Sequence, residues 1–268
     1  MKLLVLTISL FLLFESNLGL AQDTQNPPSM FPRTSFKIQG HKAFVILPPQ
    51  KHIQSGRPIP WVFYAPTFEG ILPSDRDEGW MIQRWLDKGI AIAGVDIGES
   101  YGSPAGRAIY NALHKQLVRH YGFDPKASLL ARSRGGLMLY CWAVENPEKI
   151  RCIAGIYPVC DLRSYPGVKQ AHSAYELTEE ELAQTLEQHN PIPRLLSLAQ
   201  ADVPIFHIHG DKDKIVPLDA NSGALKKAYQ ELGGSMELEI APGQWHNMWR
   251  GFFECQALVD FVIAHVGR

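Results

Sequence analysis

The sequence predicts an α/β fold: a mostly parallel, doubly wound sheet with helices on both faces. Two observations carry this expectation. Short apolar runs recur from about residue 60 onward, nearly uninterrupted, as strands buried on both faces require. Longer helical patterns separate them, and that alternation implies right-handed βαβ units.

Taken in order, the first residues, MKLLVLTISLFLLFESNLGLAQ, combine one lysine, an apolar run, and small residues at Gly19 and Ala21. This pattern predicts a signal peptide over 1–21, and so a secreted or periplasmic protein without stable membrane association once it is removed. The uninterrupted apolar stretch is shorter than the ~20 residues that span a bilayer. QNPPSMFP reads as a linker, placed at 22–34, before a single domain over 35–268. Residues 43–47 can add antiparallel pairing at one edge. Strands are then expected at 61–64 (WVFY), 90–97 (IAIAGVDI), 127–132 (ASLLAR), 152–159 (CIAGIYPV) and 205–209 (IFHIH). Helices are expected near 75–88, 104–121, 134–146 and 218–232, and a last one over 252–266. Between 161 and 200 the rhythm breaks, and TEEELAQTLEQ reads as a short amphipathic helix inside an insertion. Sites in open α/β sheets lie beyond the carboxyl ends of the strands, so this insertion is expected to cap one.

A net charge of −1 carries no electrostatic footprint for nucleic acid. No Cys or His spacing resembles a metal site and CxxC is absent, so neither a metal nor a cofactor is expected. Cys152 and Cys160 read as residues of one strand, about 26 Å apart, too far to pair. Cys141 and Cys255 fall in apolar helical stretches.

Three stretches carry chemistry. ARSRGG follows the apolar run ASLL and precedes a helical pattern, placing Ser133 in a strand-to-helix turn flanked by small residues. HGDKDKIVP follows IFHIH and offers two carboxylates, Asp211 and Asp213. APGQWHN follows the strand-like MELEIA and puts His246 in a short loop before the last helix. Serine, aspartate and histidine occur in that chain order, each just past a strand.

These motifs resemble those of an α/β-hydrolase fold serine hydrolase, nearest the prolyl-oligopeptidase-like and dienelactone-hydrolase-like branch, from about Trp61 to Val266. In the family's GDxDxxVP pattern the second aspartate is the acid, so the resemblance implies Asp213 and leaves Asp211 to form the turn; Asp161 is the rival position. It implies that Ser133 is the nucleophile, that His246 takes its proton, and that Asp213 orients the imidazole. The oxyanion is expected on the backbone N–H of Arg134, at a helix start whose dipole is positive. The chain has Ala131 where the elbow usually begins with glycine, and YAPTFEG where His-Gly is usual. Pro66 has no N–H, so the second donor is read as Phe68 first and Thr67 second.

Tyr101, Trp245 and Arg132 are the candidate substrate contacts, with Trp249 nearby; Arg132 and Arg134 are alternatively paired with acids such as Asp161 or Glu99. The expected substrate is a small-molecule or carbohydrate ester. The alternatives are a peptidase and a non-catalytic binding protein on the same scaffold. The family's peptidases carry a large β-propeller for which this sequence has no room, and all three triad positions hold competent residues.

Overall fold

Strands that bury every residue belong in the middle of a sheet, and they lie there. The computed structural model describes residues 30–66 and 73–266. Among these, eight strands form one sheet: β1 (Thr34–Ile38), β2 (His41–Ile46), β3 (Trp61–Tyr64), β4 (Ala91–Val95), β5 (Ala127–Arg132), β6 (Ile150–Ile156), β7 (Ile205–Gly210) and β8 (Met236–Ala241). Their order is β1-β2-β4-β3-β5-β6-β7-β8. β1 and β2 pair antiparallel, β2 joins β4 antiparallel, and every later pairing is parallel. β3 and β4 are buried throughout, whereas edge strand β8 exposes half of Ile240.

Helices cover both faces. Helices α2 (Pro104–His120) and α3 (Arg134–Ala143) and the helix Ala224–Glu231 pack on one face through Tyr110, Leu113, Met138, Leu139 and Tyr229. On the other face lie α1 (Gly79–Asp87) and the helix Gln256–His265, joined by Trp85, Leu86, Leu258 and Val262. α2 starts where its sequence says it should: Pro104 occupies the first turn, and the Ser103 hydroxyl accepts the Gly106 amide at 3.4 Å. A third apolar cluster joins Leu162, Tyr175, Leu182 and Leu186, between β6 and β7, to Leu137 and Cys141 of α3 and to Val216. The TEEELAQTLEQ stretch begins with a capping box from Thr178 and Glu181, then breaks into the helices Glu179–Gln184 and Leu186–His189 at Thr185.

The structure corrects several boundaries. The strand expected to reach 159 ends at Ile156, because Tyr157 has a φ of 35° and Pro158 offers no N–H. Cys160 therefore lies past the strand end. The last helix is two: Arg250–Phe253, then Gln256–His265, with an extended Cys255 whose sulfur accepts the Leu258 amide. The region near 218–232 begins with the π-helical turn Asp219–Gly223. Thr34, read as linker, already belongs to β1, a strand the sequence did not reveal. All four cysteines are free and buried, and burial pushes Cys141 up to about 11 and Cys152 up to about 12. Among the described residues, no helix is long and apolar enough to cross a membrane. Residues 1–21, with the expected signal segment, lie outside the described residues.

Candidate active site

The sheet delivers its chemistry at the carboxyl ends of β5, β7 and β8. Ser133 joins β5 to α3 with φ 47° and ψ −131°, a conformation costing about 1–3 kcal/mol that the surroundings must hold. They hold it by hydrogen bonds to the end of β6: the Ser133 amide donates to the Ile156 carbonyl at 3.0 Å, and the Val159 amide donates to the Ser133 carbonyl at 2.9 Å. Two glycines follow because two neighbours press on the turn. A Cβ on Gly135 would stand 2.7 Å from the Ala65 carbonyl oxygen, and one on Gly136 would stand 2.5 Å from Pro158 Cβ. Ala131, by contrast, is fully buried without difficulty, so the missing first glycine leaves the turn intact.

Ser133 Oγ lies 2.9 Å from His246 Nε2, and His246 Nδ1 lies 2.7 Å from Asp213 Oδ2. A carboxylate only accepts, so Nδ1 carries the imidazole proton and Nε2 presents its lone pair to the serine hydroxyl. Asp213 Oδ1 accepts the amides of Ile215 and Val216 at 3.0 and 2.8 Å. Burial alone would raise the Asp213 carboxyl. Hydrogen bonds from His209, His246 and the Val216 amide outweigh it and hold that carboxyl well below the usual carboxylate range. Asp211 instead accepts the Gly243 amide at 2.6 Å and shapes the turn. Asp161 is bound to Arg163 and Asn190, away from His246.

The structure divides the two arginines of ARSRGG. Arg134 is the first residue of α3, and its guanidinium donates to Glu99 Oε2 at 2.8 Å, as expected. Arg132 pairs not with Asp161 or Glu99 but with Glu78, which sequence reasoning missed. Glu78 is fully buried, accepts the Tyr64 hydroxyl at 2.9 Å and accepts the Ser74 amide at 2.8 Å. One carboxylate thus ties the end of β3, the amide of Ser74 just before α1, and the elbow residue beside Ser133. Substituting Glu78→Gln is expected to cost about 3–5 kcal/mol, because it leaves the Arg132 cation unpaired. Urea denaturation checks this, and a loss under about 1 kcal/mol contradicts the pairing.

Around this line, the Tyr157 ring packs 4.4 Å from the His246 ring, centroid to centroid, and burial pushes its hydroxyl up to about 12. Trp245 is 61% exposed, and Met248 and Trp249 flank the same loop. Met248 Sδ accepts from Arg132 at 3.3 Å. Tyr101 has a φ of 51° and packs against the cluster that includes Tyr175, whose hydroxyl donates to the Tyr101 carbonyl at 2.8 Å. Thr67 and Phe68, the expected second oxyanion donors, lie outside the described residues. Among the described residues, no group of three or more His, Cys, Asp or Glu is arranged to hold a metal ion.

Two buried histidines stand on β7, His207 and His209. Burial first, and the neighbouring His209 second, push His207 down to about 3 from an ordinary 6.5. Below pH 6.5 the unfolded chain takes up a proton that the folded chain refuses, so stability falls with acidification. This contribution is fully present above pH 6.5 and is lost at about 1.4 kcal/mol per unit down to about pH 3. Urea midpoints at pH 7 and pH 5 are expected to differ accordingly; equal midpoints contradict a neutral His207.

The sequence profile of the prolyl oligopeptidase family matches residues 129–266, from β5 to the last helix. An S-formylglutathione hydrolase from Agrobacterium tumefaciens superposes with a TM-score of 0.68 at 14% identity, over 88% of this chain and 94% of that one. Est1E from Butyrivibrio proteoclasticus gives 0.66 at 15% identity, over 88% and 99%. Dipeptidyl peptidase 4 from Porphyromonas gingivalis gives 0.69 at 16% identity over 88% of this chain, which spans 35% of that one. At such identities the likeness is one of fold, and the fold is that of the α/β-hydrolases. No curated protein matches the sequence.

Proposed function

The chain belongs to the prolyl oligopeptidase family, and is thereby a serine hydrolase enzyme; from that premise we propose that it cleaves carboxylic esters through an acyl-enzyme on Ser133. One observation carries the reading: the hydrogen-bonded line from Ser133 through His246 to Asp213, at 2.9 and 2.7 Å. In this reading His246 Nε2 takes the serine proton as Oγ attacks the carbonyl carbon. The imidazolium so formed stays bound to the Asp213 carboxylate, then protonates the leaving alkoxide. Water repeats the sequence in reverse roles and frees the acid. The developing oxyanion is received by the Arg134 amide at the positive end of α3 and by a second donor in the chain after β3, with Phe68 first choice and Thr67 second.

Two features favour an ester. Glu78 and Glu99 are engaged in ion pairs with the two elbow arginines, Arg132 and Arg134, which sets them aside from the α-ammonium of a peptide. The rim beside His246 is aromatic and exposed, with Trp245 and Trp249 suited to stacking on a sugar ring. The N-terminal apolar run supports export, and an extracellular acylated carbohydrate fits both features. The segment over 161–200, packed on α3 and Val216, is read as a cap. The second reading is a peptidase, favoured by the family match itself. Parallel assays of acyl nitrophenyl esters, acetylated sugars and aminoacyl nitroanilides separate the two. Turnover of the esters in preference to the anilides is expected, unaffected by EDTA; the reverse preference overturns the ester.

A further inference from the structure

Beyond Asp213 the structure holds a line of buried polar side chains that the proposed chemistry does not use. His209 Nε2 lies 2.8 Å from the Val216 carbonyl oxygen and 3.4 Å from Asp213 Oδ2. His209 Nδ1 lies 2.8 Å from Ser222 Oγ, and the same hydroxyl lies 2.9 Å from His207 Nδ1. His207 Nε2 lies 2.7 Å from the Tyr140 hydroxyl. All four side chains belong to residues that are 0% exposed.

For a neutral His209 ring, the Val216 carbonyl sets the direction of every bond. It can only accept, so His209 carries its proton on Nε2. With a neutral ring, Nδ1 is then a lone pair, and the Ser222 hydroxyl must donate to it. The Ser222 oxygen accepts from His207 Nδ1, which leaves His207 Nε2 to accept from Tyr140. Each bond receives one proton and no group is charged. The seat is built for this: a Cβ on Gly155 of β6 would stand 2.3 Å from His207 Cδ2, so only glycine leaves room for the ring.

We infer that Tyr140, His207, Ser222 and His209 form a directed hydrogen-bond chain that locks the tautomer of His209 and thereby positions the carboxylate of Asp213. The inference rests on the reading of Ser133, His246 and Asp213 as the catalytic triad. His209 pins the Val216 carbonyl, while the Val216 amide holds Asp213 Oδ1, so the turn that aims Asp213 is fastened to β7. Its Nε2 also stands 3.4 Å from Oδ2. A cationic His209 would compete with His246 for the acid and weaken the pull on the general base. In this arrangement the Ser222 hydroxyl donates to His209 Nδ1 and so opposes a second proton on that nitrogen. His207 and Tyr140 hold that hydroxyl in the required sense. These are positioning residues that act through Asp213.

Nitrogen-15 spectra of the whole protein at pH 7 test the lock directly. His209 is expected as the Nε2–H tautomer and His207 as the Nδ1–H tautomer; a doubly protonated His209, or the opposite tautomer in either ring, overturns the chain. Ser222→Ala is the kinetic arm. It is expected to lower kcat for a nitrophenyl ester about tenfold with KM little changed. It is also expected to shift or broaden the low-field proton between His246 and Asp213. Tyr140→Phe, at the far end, is expected to do the same more weakly and serves if the serine variant does not fold. Labelling of Ser133 by a fluorophosphonate tests the triad separately. No adduct on Ser133 overturns the triad and the chain's role with it. A labelled wild type beside a Ser222→Ala protein with unchanged kcat and an unchanged His246 signal overturns the chain alone.

Discussion

Replacing Ser133 by alanine is expected to lower kcat by at least about 10⁴-fold while the protein stays folded. Among the described residues, Ser133 Oγ is the oxygen hydrogen-bonded to His246 Nε2, at 2.9 Å, so the substitution leaves the base with nothing to activate but water. The backbone strain at Ser133 is unchanged, since alanine and serine meet the same steric limits at a φ of 47°. Removing the hydroxyl forfeits one partly exposed hydrogen bond, worth about 1 kcal/mol, so the melting temperature should move only a few degrees. Circular dichroism and ester turnover on one preparation check both halves. A folded Ser133→Ala protein with near wild-type activity contradicts the nucleophile.

Asp213→Asn is expected to be nearly as damaging, about 10⁴-fold, for a different reason. An asparagine carbonyl can keep the two amides of Ile215 and Val216, which turns its NH₂ group toward His246 Nδ1. That donor demands a lone pair on Nδ1 and forces the proton to Nε2, where it faces Ser133 and cannot accept. Asp211→Asn keeps an acceptor for the Gly243 amide and should leave turnover close to wild type. Asp161→Asn weakens the ties to Arg163 and Asn190 and should lower stability more than kcat. Comparison of the three asparagine variants in one ester assay checks the order, and dominance of Asp161 contradicts the assignment of the acid.

The sequence points to Ser133, Asp213 and His246 because each follows its strand within a few residues, a pattern that is local to the chain. It reveals the central strands because burial on both faces demands unbroken apolar runs. Glu78 escapes because its partner Arg132 is 54 residues away, and nothing in SDRDEGW distinguishes a buried carboxylate from a solvated one. The chain through His207, Ser222 and His209 escapes for the same reason: IFHIH reads as a strand, and only the fold brings the π-helical turn with Ser222 against it. Tyr157 reads as strand within CIAGIYPV but ends it, because the positive φ of a residue whose ring packs on His246 leaves no mark on composition. Local signals find groups that punctuate the chain, and they miss groups defined by a distant partner.

The most direct test of the serine mechanism is tandem mass spectrometry of the protein after reaction with a fluorophosphonate. One adduct per chain is expected, on the peptide containing ARSRGG and on Ser133 itself; it should be absent from Ser133→Ala and form far more slowly in Asp213→Asn. An adduct on another residue, or ester turnover that proceeds with Ser133 unmodified in excess reagent, contradicts the account.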